Sequence, residues 1–293
     1  MNANPSQLGK TDKQENFPVA SRLISARHRP VILAFYRFAR AADDVADDPT
    51  LTAAEKITRL DAMEASLLGN NIEAAEPEAA RLAIILRERG IASRHAQDLL
   101  TAFRLDALKR RYADWDELMA YCAISAMPVG RFVLDVHGES HATWAASDAI
   151  CAALQIINHL QDCAADFRTL DRVYLPLDLL AANAARPEDL GAGVASPGLR
   201  ACIDAITDNV FDLLNDGQGL TDQIVDRRLR LEIAVIHALA VRLTQRLKDR
   251  DPLGEETHLS GLEAAATASL AVVRQTTRGF GITPRSAVWG MRI

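Results

Sequence analysis

A segment that is apolar around nearly its whole helical circumference, yet carries two aspartates, most constrains the fold of this chain. It runs from Cys151 to Asp166 with the sequence CAALQIINHLQDCAAD. A helix with apolar residues on most sides is buried nearly all round, and a buried carboxylate needs a partner or a metal ion. The segment therefore predicts a core helix whose carboxylates, Asp162 and Asp166, belong to a polar site inside the protein.

A second acidic segment, Asp43–Asp48 with the sequence DDVADD, lies more than a hundred residues earlier. In both segments carboxylates recur at i, i+4, so that on a helix they stack one turn apart on one face and repel. The first segment also ends just before Pro49, where the helix dipole disfavours anions. Mg2+ prefers carboxylate oxygens and fills its remaining positions with water and substrate phosphate. Either segment alone is compatible with a solvated acidic face, but the two together predict a Mg2+ site that clamps a diphosphate.

Helical periodicity continues over almost the whole chain, and stretches that favour strands are scarce, so we predict an all-α fold. Pro128 must kink or break its helix, and small neighbours leave room there for a close helix or for substrate. Start and stop signals together with the periodicity predict helices at about 30–48, 52–68, 77–89, 93–109, 114–138 with a kink, 143–166, 176–183, 198–216, 219–249 and 258–274.

The bulk properties favour one domain over residues 1–293, with residues 1–13 and about 275–293 as tails. The 293 residues are 49% hydrophobic and show no linker or repeat. A net charge of −6 argues against a nucleic-acid partner. The polar N-terminus lacks the apolar region of a signal peptide, and the apolar stretches are interrupted before they reach 18 residues. We therefore expect a cytoplasmic protein without a transmembrane helix.

The cysteines and one histidine pair were considered as metal ligands. The four cysteines stand singly without CxxC spacing and are expected to be small buried hydrophobic residues in a reducing compartment. His137 and His141 have the i, i+4 spacing of a metal pair, but Gly138 between them favours a helix end, so we expect no zinc site from this pair.

Three motifs in order resemble the squalene/phytoene synthase family, which joins prenyl diphosphates head to head. The resemblance covers about residues 14–250. The motifs are Arg40-x2-Asp43-Asp44-x2-Asp47, then Tyr121-Cys-x2-Ser-Ala-x2-Val-Gly130, then Gln155-x2-Asn158-x3-Asp162-x3-Asp166 followed by Arg172-Val-Tyr-Leu-Pro176. The resemblance implies an all-α isoprenoid-synthase fold, with helices around a central cavity and the two aspartate motifs facing each other near its mouth.

The resemblance also implies roles for residues at matching positions. Two or three Mg2+ ions would be held by Asp43, Asp47, Asn158, Asp162 and Asp166, the four aspartates acting directly in catalysis. The diphosphate would contact Arg40, Arg172 and Tyr174, arginine being suited to bidentate phosphate contacts. The cavity and the rest of the substrate site would include Tyr36, Tyr121, Gln155, Phe17, Ala126 and Gly130. Tyr36 and Tyr121 would also act in catalysis with the four aspartates, and ordinary core filling is an equal alternative for these two tyrosines.

Departures from the usual family pattern favour one branch of the family. Asn158-His-Leu-Gln-Asp162 replaces the common Asn-Ile-Leu-Arg-Asp, and the Pro128 segment also differs. These changes resemble the bacterial hopanoid-pathway branch, which adds water to presqualene diphosphate and gives hydroxysqualene. His159 and Gln161 are candidates to hold that water, and no nicotinamide is expected.

Several alternatives remain at this stage. One is the condensation of two farnesyl diphosphates, or of two geranylgeranyl diphosphates. Another is a non-catalytic relative, although a scaffold has no reason to keep an acidic cavity. A structural Ca2+ protein is disfavoured because the chain has no EF-hand loop with its central glycine. The expected partners are a prenyl diphosphate substrate, other enzymes of the squalene and hopanoid pathway, and the inner face of the membrane through peripheral contact.

Overall fold

The computed structural model describes residues 23–70 and 76–278, and within them the chain is built from α-helices. Phe17, the segment 1–13 and residues 279–293 lie outside the described residues. The helices are α1 (Arg29–Asp47), α2 (Ala53–Leu67), α3 (Pro77–Arg89), α4 (Arg94–Leu108), α5 (Trp115–Ser125), α6 (Met127–His137), α7 (Trp144–Leu170), α8 (Leu177–Ala182), α9 (Pro197–Gly217), α10 (Leu220–Gln223), α11 (Arg227–Asp249) and α12 (Gly261–Arg278).

The first four helices begin and end close to where the sequence predicts, because their signals are local. Thr52 opens α2 with a capping box: its hydroxyl accepts the Glu55 N–H at 3.3 Å, and the Glu55 carboxylate accepts the Thr52 N–H at 2.8 Å. Gly90 closes α3 in the left-handed conformation at φ 65°. The all-α prediction is confirmed for the described residues.

Three predicted boundaries need correction. The segment predicted as one kinked helix at 114–138 is divided at Ala126, so that Pro128 lies in the first turn of α6, where its missing N–H is harmless. Two other helices end later than predicted, since α7 continues to Leu170 and α12 to Arg278, each four residues beyond its predicted end.

The predicted helix 219–249 is wrong, because the chain breaks into α10 and α11. The Asp226 carboxylate accepts the N–H groups of Arg228 and Leu229 and so starts α11 anew. The Glu139 carboxylate accepts the N–H groups of Val225 and Asp226, each at 2.8 Å. Glu139, which lies 86 residues before Val225 in the sequence, thus stabilises the segment that separates α10 from α11.

The helix that carries the second acidic segment, α7, lies at the centre of the fold. It packs against α5, α6, α9 and α11, and Ile156, Ile157 and Leu160 are buried in the largest apolar cluster. A second apolar cluster joins α1 to α2, α3, α4 and α6. The prediction that α7 is a core helix is confirmed. The residues of its acidic face are half-buried and so lie at the edge of the core.

One part of the described chain has the length and apolar character of a membrane span. Residues Trp115–His137 reach a mean hydropathy of 1.3, which departs from the expectation that every apolar stretch is too short. This stretch is the helix pair α5 and α6, divided at Ala126, and it contributes Cys122 and Phe132 to the fully buried core. Its apolar character is therefore used in packing against α4 and α7.

Candidate active site

The first acidic segment forms the C-terminal end of α1, and its carboxylates divide between two faces. Asp43 and Asp47 are half-buried on the inner face, whereas Asp44 is exposed. Arg40, one turn earlier, places its Nη1 2.7 Å from Asp43 Oδ2. Burial and the neighbouring Asp47 carboxylate raise the pKa of Asp43 to about 7. The carboxylate repulsion expected from the spacing is therefore present.

Arg172 connects the two acidic motifs. Its Nη1 donates to Asp47 Oδ1 at 2.6 Å, and its Nη2 donates to the Ala46 carbonyl at 3.2 Å. Its backbone N–H donates to the Asp166 carbonyl at 3.2 Å, at the end of α7. The residue itself is only 7% exposed. One arginine thus touches the last turn of α1 and the last turns of α7 at the same time.

A short backbone pairing holds Arg172 in this position. Asp171 ends α7 in the left-handed conformation at φ 52°, which reverses the chain. The residues that follow then run beside the segment between α4 and α5, where Val173 N–H donates to the Arg110 carbonyl at 2.9 Å. Arg111 pairs with the Asp171 carboxylate at 2.6 Å. The loop is therefore fixed on both sides of Arg172.

On α7 the second motif presents one amide and two carboxylates, Asn158, Asp162 and Asp166, at successive turns of one face. All three are half-buried, and each takes part in a polar or electrostatic interaction. Together with Asp43 and Asp47 they form a donor set made only of oxygen atoms. Such a set fits Mg2+, and burial is the main cause that raises the pKa of Asp43, followed by the Asp47 carboxylate.

Beneath the motifs lies a cluster of tyrosines around one buried acid, Asp106 of α4. The Tyr121 hydroxyl donates to Asp106 Oδ2 at 2.9 Å, and the Tyr174 hydroxyl donates to Oδ1 at 3.4 Å. Tyr112 stacks on Tyr174 with ring centres 5.6 Å apart. Burial raises the pKa of Asp106 to about 6. Tyr121 and Tyr174 are therefore oriented by an acid and do not merely fill space.

Sequence reasoning missed Asp106 and Tyr112. Asp106 is a single acid near the end of an ordinary amphipathic helix, and Tyr112 lies in the loop between α4 and α5. Neither belongs to a repeated pattern. The one available signal was an acid at a position of α4 that its periodicity places on the buried side.

His159 of α7 faces the tyrosine cluster and not the opposite side of the helix. Its ring stacks on Tyr174 with centres 3.5 Å apart and planes at 12°, and it lies 6.1 Å from the Tyr121 ring. Its Nε2 is 3.1 Å from Gln155 Nε2, one turn earlier. Burial, followed by the charge of Arg172, lowers the pKa of His159 to about 3, so that the ring is neutral. Gln161 is also buried, at 7% exposure.

An apolar cavity of about 310 Å³ opens between α1, α6, α7 and α11. Tyr36 and Gly130 line it, as expected from the sequence, whereas Ala126 is not among its lining residues and lies at the break between α5 and α6. A Cβ on Gly130 would lie 2.5 Å from both Cys151 Sγ and Ser147 Oγ. Gly130 therefore permits the close approach of α6 to α7 and also borders the cavity.

His137 and His141, which the sequence places four residues apart, contact different groups in the fold. His141 is 71% exposed on its side chain and lies 3.4 Å from Asp135. His137 instead lies against His28, with ring centres 4.3 Å apart. The two histidines of the HGESH sequence thus have different surroundings.

Comparisons with known proteins identify relatives over nearly the full length. Residues 10–263 match the squalene/phytoene synthase family. The chain is 52% identical to a hydroxysqualene synthase of Rhodopseudomonas palustris over 285 residues, 97% of each chain. It is 52% identical to a hydroxysqualene synthase of Sinorhizobium fredii, over 91% of this chain and 90% of that one.

Solved structures show the same fold. The crystal structure of squalene synthase HpnC from Alicyclobacillus acidocaldarius matches with a TM-score of 0.67 and 29% identity, covering 78% of this chain and 88% of that one. A dehydrosqualene synthase in complex with a ligand matches with a TM-score of 0.77 at 17% identity, covering 89% of this chain and 92% of that one. The all-α terpenoid-synthase fold expected from the resemblance is confirmed.

Proposed function

Because this chain belongs to the squalene/phytoene synthase family, we propose that it is an enzyme that converts presqualene diphosphate and water to hydroxysqualene and diphosphate. The observation that carries this choice of product is the 52% identity, over 97% of each chain, to a hydroxysqualene synthase. The geometry supports the diphosphate chemistry, because Arg172 joins two carboxylate-bearing helices beside an apolar cavity.

We propose that Asp43, Asp47, Asn158, Asp162 and Asp166 hold Mg2+ together with the substrate diphosphate. Mg2+ bound by these oxygens would neutralise the diphosphate as it departs with the bonding electron pair. Arg40 and Arg172 each already touch an aspartate of α1 at 2.6–2.7 Å. A small turn of either guanidinium toward the diphosphate adds a charge-assisted hydrogen bond that strengthens as negative charge develops.

The remaining side chains suit a reaction that passes through a carbocation. The apolar wall of the cavity excludes bulk water while the carbon skeleton rearranges. Tyr121 and Tyr174 belong to a stack of electron-rich rings, in which His159 and Tyr112 lie against the ring of Tyr174. The neutral ring of His159 adds no positive charge to the same region. In this proposal Mg2+ and the arginine side chains lie near the diphosphate, and the uncharged aromatic rings lie near the hydrocarbon.

The final step needs one water held close to the rearranged cation. We assign this water to His159 and Gln155, the polar pair on the α7 face that meets the tyrosine cluster. Attack by the water oxygen forms the new C–O bond, and the released proton passes to the departing diphosphate. His159 takes the place of the apolar residue common in the family, which fits a branch that adds water. Gln161 is the second candidate.

Hydrolysis in 18O-labelled water tests the proposal. Purified protein with Mg2+ and presqualene diphosphate, without NADPH, is expected to give hydroxysqualene that carries one heavy oxygen. Rapid turnover of farnesyl diphosphate alone, or squalene that forms only with NADPH, would instead establish a condensing enzyme. Asp162→Asn is the matched inactive variant, since it removes one carboxylate with little change in volume, and full activity in it would contradict the proposed metal site.

A further inference from the structure

A group of three metal-ligating side chains lies at the opposite end of α1 from the acidic motifs. His28 immediately precedes α1, His137 ends α6, and Asp226 precedes α11. One ligand atom from each lies within 4.8 Å of the others. Fifteen residues of α1 separate His28 from Asp43, which is about 22 Å at a rise of 1.5 Å per residue. This group is therefore separate from the proposed diphosphate site.

The two imidazoles present buried nitrogen atoms that have no hydrogen-bond partner. His28 is 7% exposed, and its Nδ1 is buried without a partner. His137 Nδ1 lies 2.7 Å from the Val133 carbonyl, so that it carries the ring proton and leaves the lone pair on Nε2. That Nε2 is also buried without a partner. A buried polar atom without a partner requires an explanation, and a bound water or ion is one of the usual ones.

The carboxylate of the group is held in place by backbone contacts. Asp226 Oδ1 accepts the N–H groups of Arg228 and Leu229 at 2.8 and 3.0 Å, and Oδ2 has an ion pair with Arg27 Nη2 at 3.9 Å, which is broken when the exposed Arg27 side chain turns away. The loop before it is fixed by the buried Glu139, whose carboxylate accepts the N–H of Asp226 at 2.8 Å. The third ligand is thus presented by a rigid helix start and not by a loose side chain.

From this geometry we infer that His28, His137 and Asp226 form a structural site for a divalent transition metal, with Zn2+ the best match. Two imidazole nitrogens and one carboxylate oxygen are ordinary Zn2+ ligands, and a water would complete the tetrahedron. Metal–ligand bonds of about 2.0–2.2 Å bring tetrahedral ligands to about 3.4 Å from one another, so ligand atoms that now lie up to 4.8 Å apart must approach by up to about 1.4 Å. The metal would join the ends of α1, α6 and α11.

Metal binding requires one local rearrangement. Arg27 Nε donates to His28 Nε2 at 2.7 Å, which places the ring proton of His28 on Nδ1. When Nδ1 binds the metal, this proton moves to Nε2 and the Arg27 side chain must turn away. That side chain is 68% exposed, so it can turn into solvent. Burial lowers the pKa of His28, which keeps its ring in the neutral form that binds metal.

The test is a Zn2+ titration of untagged protein. Bound metal ions are first removed with EDTA, and Mg2+ is then added to saturation so that it occupies the acidic motifs before Zn2+ is added. Calorimetry is expected to show one equivalent of Zn2+, together with a rise in the melting temperature. His28→Ala and His137→Ala should each abolish that equivalent and the thermal shift. His141→Ala is the matched control, because this exposed histidine lies nearby but outside the group, and it should bind as the wild type does.

Asp226→Asn keeps the helix cap while it weakens the ligand, so it is expected to fold normally and to bind Zn2+ at least tenfold more weakly. Circular dichroism of the metal-free variants checks that each is folded. Absence of a stoichiometric site in the wild type would overturn the inference. Equal Zn2+ binding by wild type, His28→Ala and His137→Ala would overturn it as well. Neither result bears on the reaction, which is measured with Mg2+ alone.

Discussion

Arg172 and Asp47 are 125 residues apart in the sequence, and their side chains lie 2.6 Å apart in the fold. This contact joins the end of α1 to the loop that follows α7. The Arg172 side chain is 8% exposed and that of Asp47 is 35% exposed, so the pair lies at the edge of the interior. The Asp47 carboxylate thus remains partly accessible to solvent, and it is one of the groups proposed to hold the metal ion.

Replacement of Arg172 by Lys tests whether catalysis depends on the two-nitrogen geometry of the guanidinium group and not on its charge alone. Lys keeps the charge but lacks the two planar nitrogens with which Arg172 reaches the Asp47 carboxylate and the Ala46 carbonyl separately. We expect kcat/KM to fall by about 100-fold, as when one preorganised donor is removed from an active site. Steady-state diphosphate release measures this effect. Arg110→Lys, at an exposed arginine of the same loop contact, should stay close to wild type, and equal losses in both variants would contradict a specific role for Arg172.

The buried acid Asp106 is expected to make the metal-free protein less stable at neutral pH. Its pKa in the fold is about 6, above the usual 3.8. Between these values the unfolded chain has lost the proton and the folded chain keeps it, so the free energy of unfolding falls as pH rises from about 4 to 6. Above pH 6 the loss is complete. Asp43, with a pKa of about 7, acts in the same direction.

Asp106→Asn removes this titration and still accepts a hydrogen bond from a tyrosine. We expect the free energy of unfolding in EDTA to rise by up to about 3 kcal/mol above pH 6 and to change little near pH 4, since the pKa of Asp106 is raised from 3.8 to about 6. Urea denaturation at pH 4.5, 6 and 7.5 measures it. Asp216→Asn changes an exposed acid and should show no such pH dependence. A variant that is destabilised equally at every pH would mean that the hydrogen bonds to Tyr121 and Tyr174 outweigh the burial of charge.

Gly130→Ala tests the close approach of α6 and α7. The added Cβ would lie 2.5 Å from Cys151 Sγ and from Ser147 Oγ, so these side chains or the helices that carry them must shift. Such overpacking typically lowers the free energy of unfolding by about 1–3 kcal/mol. The variant should therefore melt at a lower temperature and bind a long prenyl chain less well, since Gly130 also lines the cavity. Gly193→Ala meets open space and serves as the control. Unchanged melting of Gly130→Ala would show that the helices accommodate a methyl group.

The sequence predicted those parts of the fold and site that rest on local or repeated patterns. The capping box at Thr52 and the glycine at Gly90 fix helix ends within a few residues. The acidic segments stand out because each breaks a local rule in the same way. The break between α10 and α11 was missed because it depends on Glu139, 86 residues from Val225.

The rest of the site was not predictable for a similar reason. Asp106 acquires its role only when α5 and the loop after α7 bring Tyr121 and Tyr174 to it, and a lone acid in one helix gives no sign of those partners. His28 and His137 likewise have no shared motif. The exact pairing of Arg172 with Asp47 also depends on the left-handed residue Asp171, which no pattern in the sequence marks.

The product itself is expected to depend on His159. The centre of its neutral ring lies 3.5 Å from that of the Tyr174 ring, and its Nε2 is hydrogen-bonded to Gln155. His159 therefore offers a polar position within an aromatic wall. His159→Ile removes that position but retains the bulk of the wall and all five proposed metal ligands. We expect diphosphate release from presqualene diphosphate to stay within about tenfold of wild type, since leaving-group stabilisation is intact. The fraction of hydroxysqualene should fall, with hydrocarbons formed by proton loss in its place. Gln161→Leu is the comparison, and a product change in that variant alone would transfer the role to Gln161.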